Sequence, residues 1–402
     1  MAATEKGVWD LQDVRDKQLA SEWTYDALEP GTLFSWGSND EGQGARNDTT
    51  ARSSPIQVPG TKWARVNGSM SGYGKVMLGV KSDGSLWGWG RNSQGALAQN
   101  NTTNVSSPVQ IVGTWSGNFS AGLLCGMGVK TDGTLWSWGY GDHGNLGLNE
   151  SGSPSRKSSP VQVGTGTDWS TTADQGAIGG NSTMAGTCIK TDGTLWAWGR
   201  NTYGVLGQND RTDRSSPVQI PGTWTGSYIA KPYHTFGAIK TDGTLWTWGI
   251  DSYGSLGHNE SEVHKSSPTQ VPGTTWRKII SGNYGALATK TDSTLWYMGS
   301  NQFGSAGQNL PMGPGGLNAR SSPIQMGTAT DWNEIALSTW TRYASKTNGE
   351  LWGWGRGDGG SLYNPGLTNT NRSSPTQLQG GATDFTGSLS ACYSRAVFNV
   401  RN

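Results

Sequence analysis

Residues 130–139 read KTDGTLWSWG, an Asp-Gly pair (Asp132, Gly133) running directly into an apolar stretch that holds Trp136 and Trp138. Asp-Gly favours a tight hairpin turn, because glycine adopts positive φ without a steric penalty. Tryptophans at i and i+2 share one face of a pleated strand, where they can fill the space between neighbouring sheets. The stretch recurs as GTLFSWG (31–37), GSLWGWG (84–90), GTLWSWG (133–139), GTLWAWG (193–199), GTLWTWG (243–249), STLWYMG (293–299) and GELWGWG (349–355), seven copies about 53 residues apart. Self-similarity at such a period marks a solenoid or a propeller.

Two further markers keep step with the first. Ser-Ser-Pro ends at Pro55, Pro108, Pro160, Pro217, Pro268, Pro323 and Pro375, and an aromatic follows a Gly/Thr-rich turn at Trp63, Trp115, Trp169, Trp224, Trp276, Trp332 and Phe385. Eighteen of the 21 tryptophans fall on these repeat positions, leaving Trp9, Trp23 and Trp340. That many tryptophans therefore reads as a repeated core. Each repeat predicts four short strands: an apolar run, the hairpin, the LWxWG strand, and after a long polar loop the SSP strand and the aromatic strand. Small residues (Gly79, Gly128, Cys188, Ala238, Ala288, Ala344) recur four positions before the turn residue and suit a crowded inner strand. The expected fold is all-β, a seven-bladed β-propeller of four-stranded blades. The first repeat begins at GTLFSWG and the chain ends in YSRAVFNVRN. Pairing of these N- and C-terminal strands would complete one blade and close the ring, whereas an open solenoid would need polar caps.

The markers TDGTLWxWG, NxxGxLGxN and SSPVQV resemble the regulator of chromosome condensation repeat family over roughly residues 30–402. The resemblance implies a seven-bladed propeller but no single function. Members include a nuclear guanine-nucleotide exchange factor, a plant ultraviolet-B photoreceptor and a secreted β-lactamase inhibitor. Residues 1–30 hold three basic side chains (Lys6, Arg15, Lys17) against seven acidic ones, unlike the exchange factor's basic tail. The photoreceptor's Gly-Trp-Arg-His-Thr repeat is absent, and the N-terminus MAATEKGVWD does not read as an export signal like the inhibitor's.

Composition narrows the rest. A net charge of +1 with 15% charged residues argues against general attraction to nucleic acid or anionic membrane. No apolar run is long enough to predict membrane insertion by a helix. The three cysteines (Cys125, Cys188, Cys392) are too scattered for a disulfide framework and read as small core residues. Of the four histidines, His258 and His264 lack the spacing of a helical zinc site, and His143 and His234 stand apart. No nucleophile-base pair or phosphate loop stands outside the repeats, so neither an enzyme nor a cofactor or metal site is expected.

Residues 1–29 form a separate segment. Asp10 can cap a short helix to about residue 22, with Leu11, Val14 and Leu19 on one side and Trp9 and Trp23 flanking. The segment resembles short leaders of bacteriophage virion proteins. The sequence-level expectation is therefore a phage tail-fibre, appendage or surface protein, assembled in the host cytoplasm and residing in the virion in multiple copies. It would contact other virion proteins through 1–29 and a host glycan or protein through the propeller (30–402). The alternative expectation is a cellular protein-interaction propeller, a regulatory or exchange-factor-like scaffold.

The long loops (39–52, 91–106, 140–158, 200–214, 250–265, 300–320, 356–372) share one face, opposite the hairpins, and this is the default recognition surface. At its inner rim, eight positions before the turn residue, stand Lys75, Leu124, Met184, His234, Tyr284 and Trp340, with Tyr393 at the matching place in the last copy. Aromatics there can stack on sugars, seat a protein, or fill a channel. The basic residues before Ser-Ser-Pro (Arg52, Lys157, Arg214, Lys265, Arg320, Arg372) hint at an acidic partner.

Overall fold

The structure is a computed structural model that describes residues 31–68, 75–122, 124–150, 155–172, 178–180, 185–225, 235–282, 284–311, 318–338, 340–357, 362, 370–378, 389–391 and 397–401. Residues 1–29, and with them Trp9, Leu11, Val14, Leu19 and Trp23, lie outside the described residues.

Antiparallel sheets follow one another along the chain. The first joins Thr32–Gly37 and Arg52–Gln57 to Leu389–Ala391 and Val397–Arg401. The second contains Trp63–Gly68, Val76–Lys81, Leu86–Gly90 and Val105–Ile111, and the third Trp115–Ala121, Cys125–Lys130, Leu135–Gly141 and Ser155–Gln162. The fourth holds Ile178–Gly180, Ala185–Ile189, Leu195–Gly199 and Arg214–Ile220, and the fifth Thr235–Ile239, Leu245–Gly249 and Lys265–Gln270. The sixth spans Trp276–Gly282, Gly285–Lys290, Leu295–Gly299 and Arg320–Gln325, and the seventh Trp332–Leu337, Thr341–Lys346, Leu351–Gly355 and Arg372–Gln377.

The all-β propeller class agrees with the sequence, but the blade count is corrected. Complete four-stranded blades number six, not seven, and the fifth sheet has three strands among the described residues. The fourth strand expected there falls on residues 226–234, outside the described residues, although Trp224 just before them bridges Lys240. In the first sheet Thr32 pairs with Arg401 and Trp36 with Val397, so strands from the two ends of the chain share one blade.

A second correction concerns order within a blade. The strands that lie against their counterparts in neighbouring sheets are the aromatic-marker strands, such as Trp63–Gly68 between Leu389–Ala391 and Trp115–Ala121. They are tied by Arg65 Nη1 donating to Gly117 O (3.1 Å), by the Gly68 N–H donating to Ser390 Oγ (3.1 Å), and by a Lys278–Glu334 ion pair. The small residues therefore sit on the second strand, and their size serves the indoles. A Cβ added at Gly79 would lie 2.9 Å from the Trp63 ring and 3.0 Å from the Trp89 ring.

The KTDGTLWSWG stretch is now explained residue by residue. Thr134 Oγ1 donates to Asp132 Oδ1 (2.6 Å) and accepts from Trp136 Nε1 (2.8 Å), which ties the turn to the half-buried first tryptophan. Lys130 Nζ stands 3.5 Å from the centroid of that ring, a cation–π contact repeated in the other hairpins. The second tryptophan, Trp138, is fully buried and donates its indole N–H to Ala96 O (2.8 Å) in the loop of the preceding sheet. Trp89, Trp198, Trp248 and Trp354 do the same to Gln43, Asn145, Val205 and Ser305. The Ser-Ser-Pro marker falls in a register shift of the outer strand, between the pairs Gly88↔Val109 and Gly90↔Val105. A bulge and a proline are tolerated on an edge strand and discourage pairing with other chains.

Two outcomes follow from this packing. Trp138→Ala should cost about 3–5 kcal/mol by emptying a buried aromatic site, and Trp138→Phe about 1–2 kcal/mol with loss of the indole donor. Denaturant midpoints measure both, and a Trp138→Phe variant as stable as the wild type would show that the N–H contributes nothing. Removing residues 389–402 should expose the Thr32–Gly37 edge and convert monomer to aggregate by size-exclusion chromatography.

Candidate interaction face

The rim is placed by the glycine that ends each LWxWG strand. Gly90 has φ +91°, and a Cβ there would fall 2.0 Å from Lys75 O. The backbone thus passes directly over the rim residue, and the next N–H donates to it: Arg91 to Lys75 (3.0 Å), Tyr140 to Leu124 (2.9 Å), Ser300 to Tyr284 (2.7 Å) and Arg356 to Trp340 (3.0 Å). Four of the seven expected rim residues are described in this arrangement; Met184, His234 and Tyr393 lie outside the described residues.

At three rim residues, the partner across the sheet boundary is the residue before a loop glycine in the preceding sheet. Lys75 forms ion pairs with Asp40 and with Glu41 (3.1 Å), and Arg91 Nε approaches Glu41 at 3.5 Å. Burial opposes the Lys75 charge, but its bonds to Asp40 and Glu41 outweigh that and raise its pKa. Lys75 is therefore a tied cation within a mixed-charge cluster.

On the other side of the face the same positions are aromatic. Tyr253 packs on Tyr284 (5.9 Å between centroids), Tyr284 stacks on Trp340 (4.5 Å, 10° between planes), and Phe303 meets Trp340 edge-on (5.3 Å). The Arg356 guanidinium lies 4.8 Å from the Phe303 centroid. All five side chains are half-buried, so the run is continuous and reachable from the loop side. Sequence reading found Tyr284 and Trp340 but missed Tyr253 and Phe303. The signal was present, since Tyr203, Tyr253 and Phe303 occupy one repeat position, immediately before a loop glycine.

The basic residues before Ser-Ser-Pro are largely absorbed by their own loops: Arg52 with Asp48 (3.2 Å), Lys157 with Glu150 (3.1 Å), Arg214 with Asp210 (2.6 Å) and Lys265 with Glu260 (2.8 Å). Such exposed pairs add little stability, but they weaken the hint of an acidic partner. A separate cavity of about 330 Å³ lies near the hairpins of the fourth and fifth sheets, lined by Ser170, Thr171, Lys190, Thr191, Trp224 and Thr241 among others. Its Lys190 is paired with Asp168 (3.0 Å) and rests on Trp196, so the cation is already engaged. Cys125 and Cys188 are buried; burial pushes the Cys125 thiol up to about 11 and the Cys188 thiol further, which makes both poor nucleophiles. No helix among the described residues is long and apolar enough to cross a membrane.

The loops share an internal brace. Asn39, Asn92, Asn201 and Asn301 are buried, and each side-chain oxygen accepts an N–H five residues on. In the fifth loop this position is Asp251, 2% exposed, which accepts from Leu256 N–H (3.1 Å). Burial raises the Asp251 pKa above the usual carboxylate value, with the Glu262 charge adding, against lowering by N–H groups of Leu256 and Val263 and by His264. A raised folded-state pKa contributes stability below the unfolded-state value, near 3.9, that is lost as pH rises through the folded value. Asp251→Asn, which restores the amide of the sibling loops, should therefore raise the urea midpoint at neutral pH. The gain should shrink to nothing below about pH 4, and a gain that grows on acidification would contradict this account.

Comparison with known proteins agrees with this geometry. Four segments, 83–121, 132–185, 192–225 and 242–289, match the Regulator of chromosome condensation (RCC1) repeat. The chain is 28% identical over 213 residues to Ultraviolet-B receptor UVR8 of Arabidopsis thaliana, covering 52% of this chain and 47% of that protein. It is 32% identical over 85 residues to X-linked retinitis pigmentosa GTPase regulator of Canis lupus familiaris, covering 21% of this chain and 8% of that protein. The chain thus spans less than half the length of either relative. Among solved structures, Prp20p from Saccharomyces cerevisiae, described with its binding to Gsp1p and histones, is similar with a TM-score of 0.76 at 19% identity, over 94% of this chain and 93% of that one. Human WBSCR16 is similar with a TM-score of 0.71 at 16% identity, over 92% and 100% of the two chains. Four segments thus match the RCC1 repeat, and the propeller neighbours share the fold of this chain.

Proposed function

We propose that the protein is a non-enzymatic interaction scaffold that seats a protein partner on its loop face, with the aromatic run Tyr253–Tyr284–Trp340–Phe303 as anchor. The observation that carries this reading is the run itself: four half-buried aromatics in contact across three sheets, on the face where the loops vary. Tyrosine and tryptophan are favoured anchors of protein interfaces, because they bury large area with few rotatable bonds. Because the inward faces of Tyr284 and Trp340 cover each other, their edges and the Tyr253 side remain for a partner. The binding of Prp20p to Gsp1p and histones supports the same reading by likeness of fold.

The relatives come from cellular organisms and lend the virion reading no support; that reading rested on residues 7–23, outside the described ones. The cellular interaction propeller is the better supported of the two.

The triple variant Tyr253→Ala, Tyr284→Ala, Trp340→Ala tests the assignment by affinity purification from the source cells. A control variant, Val112→Asp, alters an 87% exposed side chain beside the Thr131 hairpin on the opposite face. Recovery of the principal partner should fall by roughly tenfold or more in the rim variant and stay unchanged in the control. Equal recovery with both variants would refute the aromatic anchor.

A further inference from the structure

The fifth loop, residues 250–264, which carries Tyr253 of the aromatic run, departs from its siblings at two places, and the sheet after it departs at a third. In the second and fourth loops the N–H of the bracing residue is accepted by a side-chain oxygen, Asn92 by Asn104 Oδ1 (2.8 Å) and Asn201 by Asp213 Oδ1 (2.7 Å). In the seventh, Gly357 N–H donates to Asn371 Oδ1 (3.2 Å). In the fifth, the Asp251 N–H instead donates to a ring nitrogen, His264 Nδ1 (3.2 Å). An amide oxygen accepts at every relevant pH, whereas an imidazole nitrogen accepts only while unprotonated.

The second departure is Asp251 itself, a carboxylate where four loops bury an amide. The third lies in the next sheet. Met298 occupies the position of Trp89, Trp138, Trp198, Trp248 and Trp354, so the indole N–H that grips the other loops is replaced by a thioether. Among the described residues, the hydrogen bonds that remain across this boundary at the loop tip are Asn259 N–H to Ser321 O (2.7 Å) and Ser322 Oγ to Asn259 Oδ1 (3.1 Å).

His264 is exposed, and the ring of Tyr203 from the fourth sheet's loop faces it edge-on (6.1 Å, 88°). The charged groups of its own loop are Asp251, Glu262 and the Lys265–Glu260 pair. Glu262 Oε1 also accepts the Tyr253 N–H (2.9 Å), which orients the first member of the aromatic run. A proton on His264 would set an N–H donor against the Asp251 N–H, and the imidazolium would turn toward the neighbouring carboxylates.

We propose that loop 250–264 is an acid-operated element: protonation of His264 releases the Asp251 N–H and frees the loop that carries Tyr253, so the aromatic run opens at one end as pH falls. The element belongs to the free protein, and its test does not depend on what binds the face.

Hydrogen exchange, corrected for intrinsic rates, should be measured at about pH 7.5 and about pH 5.5. Peptides covering 250–264 should lose roughly fivefold to tenfold in protection at the lower pH, the equivalent of one net hydrogen bond. Peptides covering 91–104, whose acceptor is Asn104, should not change. His264→Asn and His264→Asp, which copy the sibling acceptors, should hold protection at both pH values. An unchanged wild-type loop, a loss shared by 91–104, or the same loss in both variants would each overturn the proposal.

Discussion

Among the described residues, five loops grip the sheet that follows them twice, and the arrangement of the propeller depends on that double contact. A carbonyl of the loop accepts an indole N–H from the next sheet, as Ala96 does from Trp138, and the loop's terminal asparagine donates its N–H back, as Asn100 does to Ser158 O (2.8 Å). The second bond repeats at Asn47, Asn149, Asn209, Asn259 and Asn309. These asparagines all have φ between 53° and 60°, a conformation asparagine tolerates better than most residues. Apolar packing alone could slide; two hydrogen bonds of fixed direction set the offset between sheets. A buried indole without a partner would cost its desolvation, so the grip is also self-enforcing.

This contact explains why three markers recur and why other positions vary. LWxWG supplies the indole, Gly-x-Asn or Ala-x-Asn the returning N–H, and Ser-Ser-Pro the acceptor on a bulged edge strand. With the backbones so fixed, a residue before a loop glycine can reach the rim residue of the following sheet. The pair can then be Glu41 with Lys75, or Tyr253 with Tyr284, or Phe303 with Trp340, without disturbing the frame. Chemistry on the loop face changes in pairs, and the scaffold is indifferent to which pair is present.

The sequence made the repeat, the hairpins and the shared blade of the two chain ends legible, because each rests on local chemistry repeated many times over. Asp-Gly turns and paired tryptophans carry their own geometry. What it did not make legible depends on which neighbour a side chain meets. The small residues such as Gly79 were assigned to the innermost strand, but two indoles from the first and third strands of the blade converge on the second. Lys75 was placed at the rim, but its pairing with Asp40 and Glu41 of the preceding loop was not legible. Tyr253 and Phe303 stand far from the rim in sequence, and only the sheet-to-sheet contact brings them to it. The fifth sheet's three strands were hidden for a simpler reason, since Trp224 matches its siblings and the expected strand falls on residues 226–234.

A repeat protein tests each position against several copies of itself within one chain, so a break in the pattern has a physical meaning. Where Asn39, Asn92, Asn201 and Asn301 agree, the buried amide is the stable choice, and Asp251 in its place carries a desolvation burden that its siblings lack. Met298 gives up an indole donor in the next sheet, and His264 supplies a ring nitrogen as acceptor where the sibling loops use an oxygen. Any one of these would pass as drift. Met298 falls at the boundary between the fifth and sixth sheets, where Tyr253 meets Tyr284, while His264 takes the Asp251 N–H on the side that faces Tyr203 of the fourth sheet's loop. Local rules are most often relaxed where a site needs something other than stability. The departures therefore cluster around the loop that carries the first member of the aromatic run.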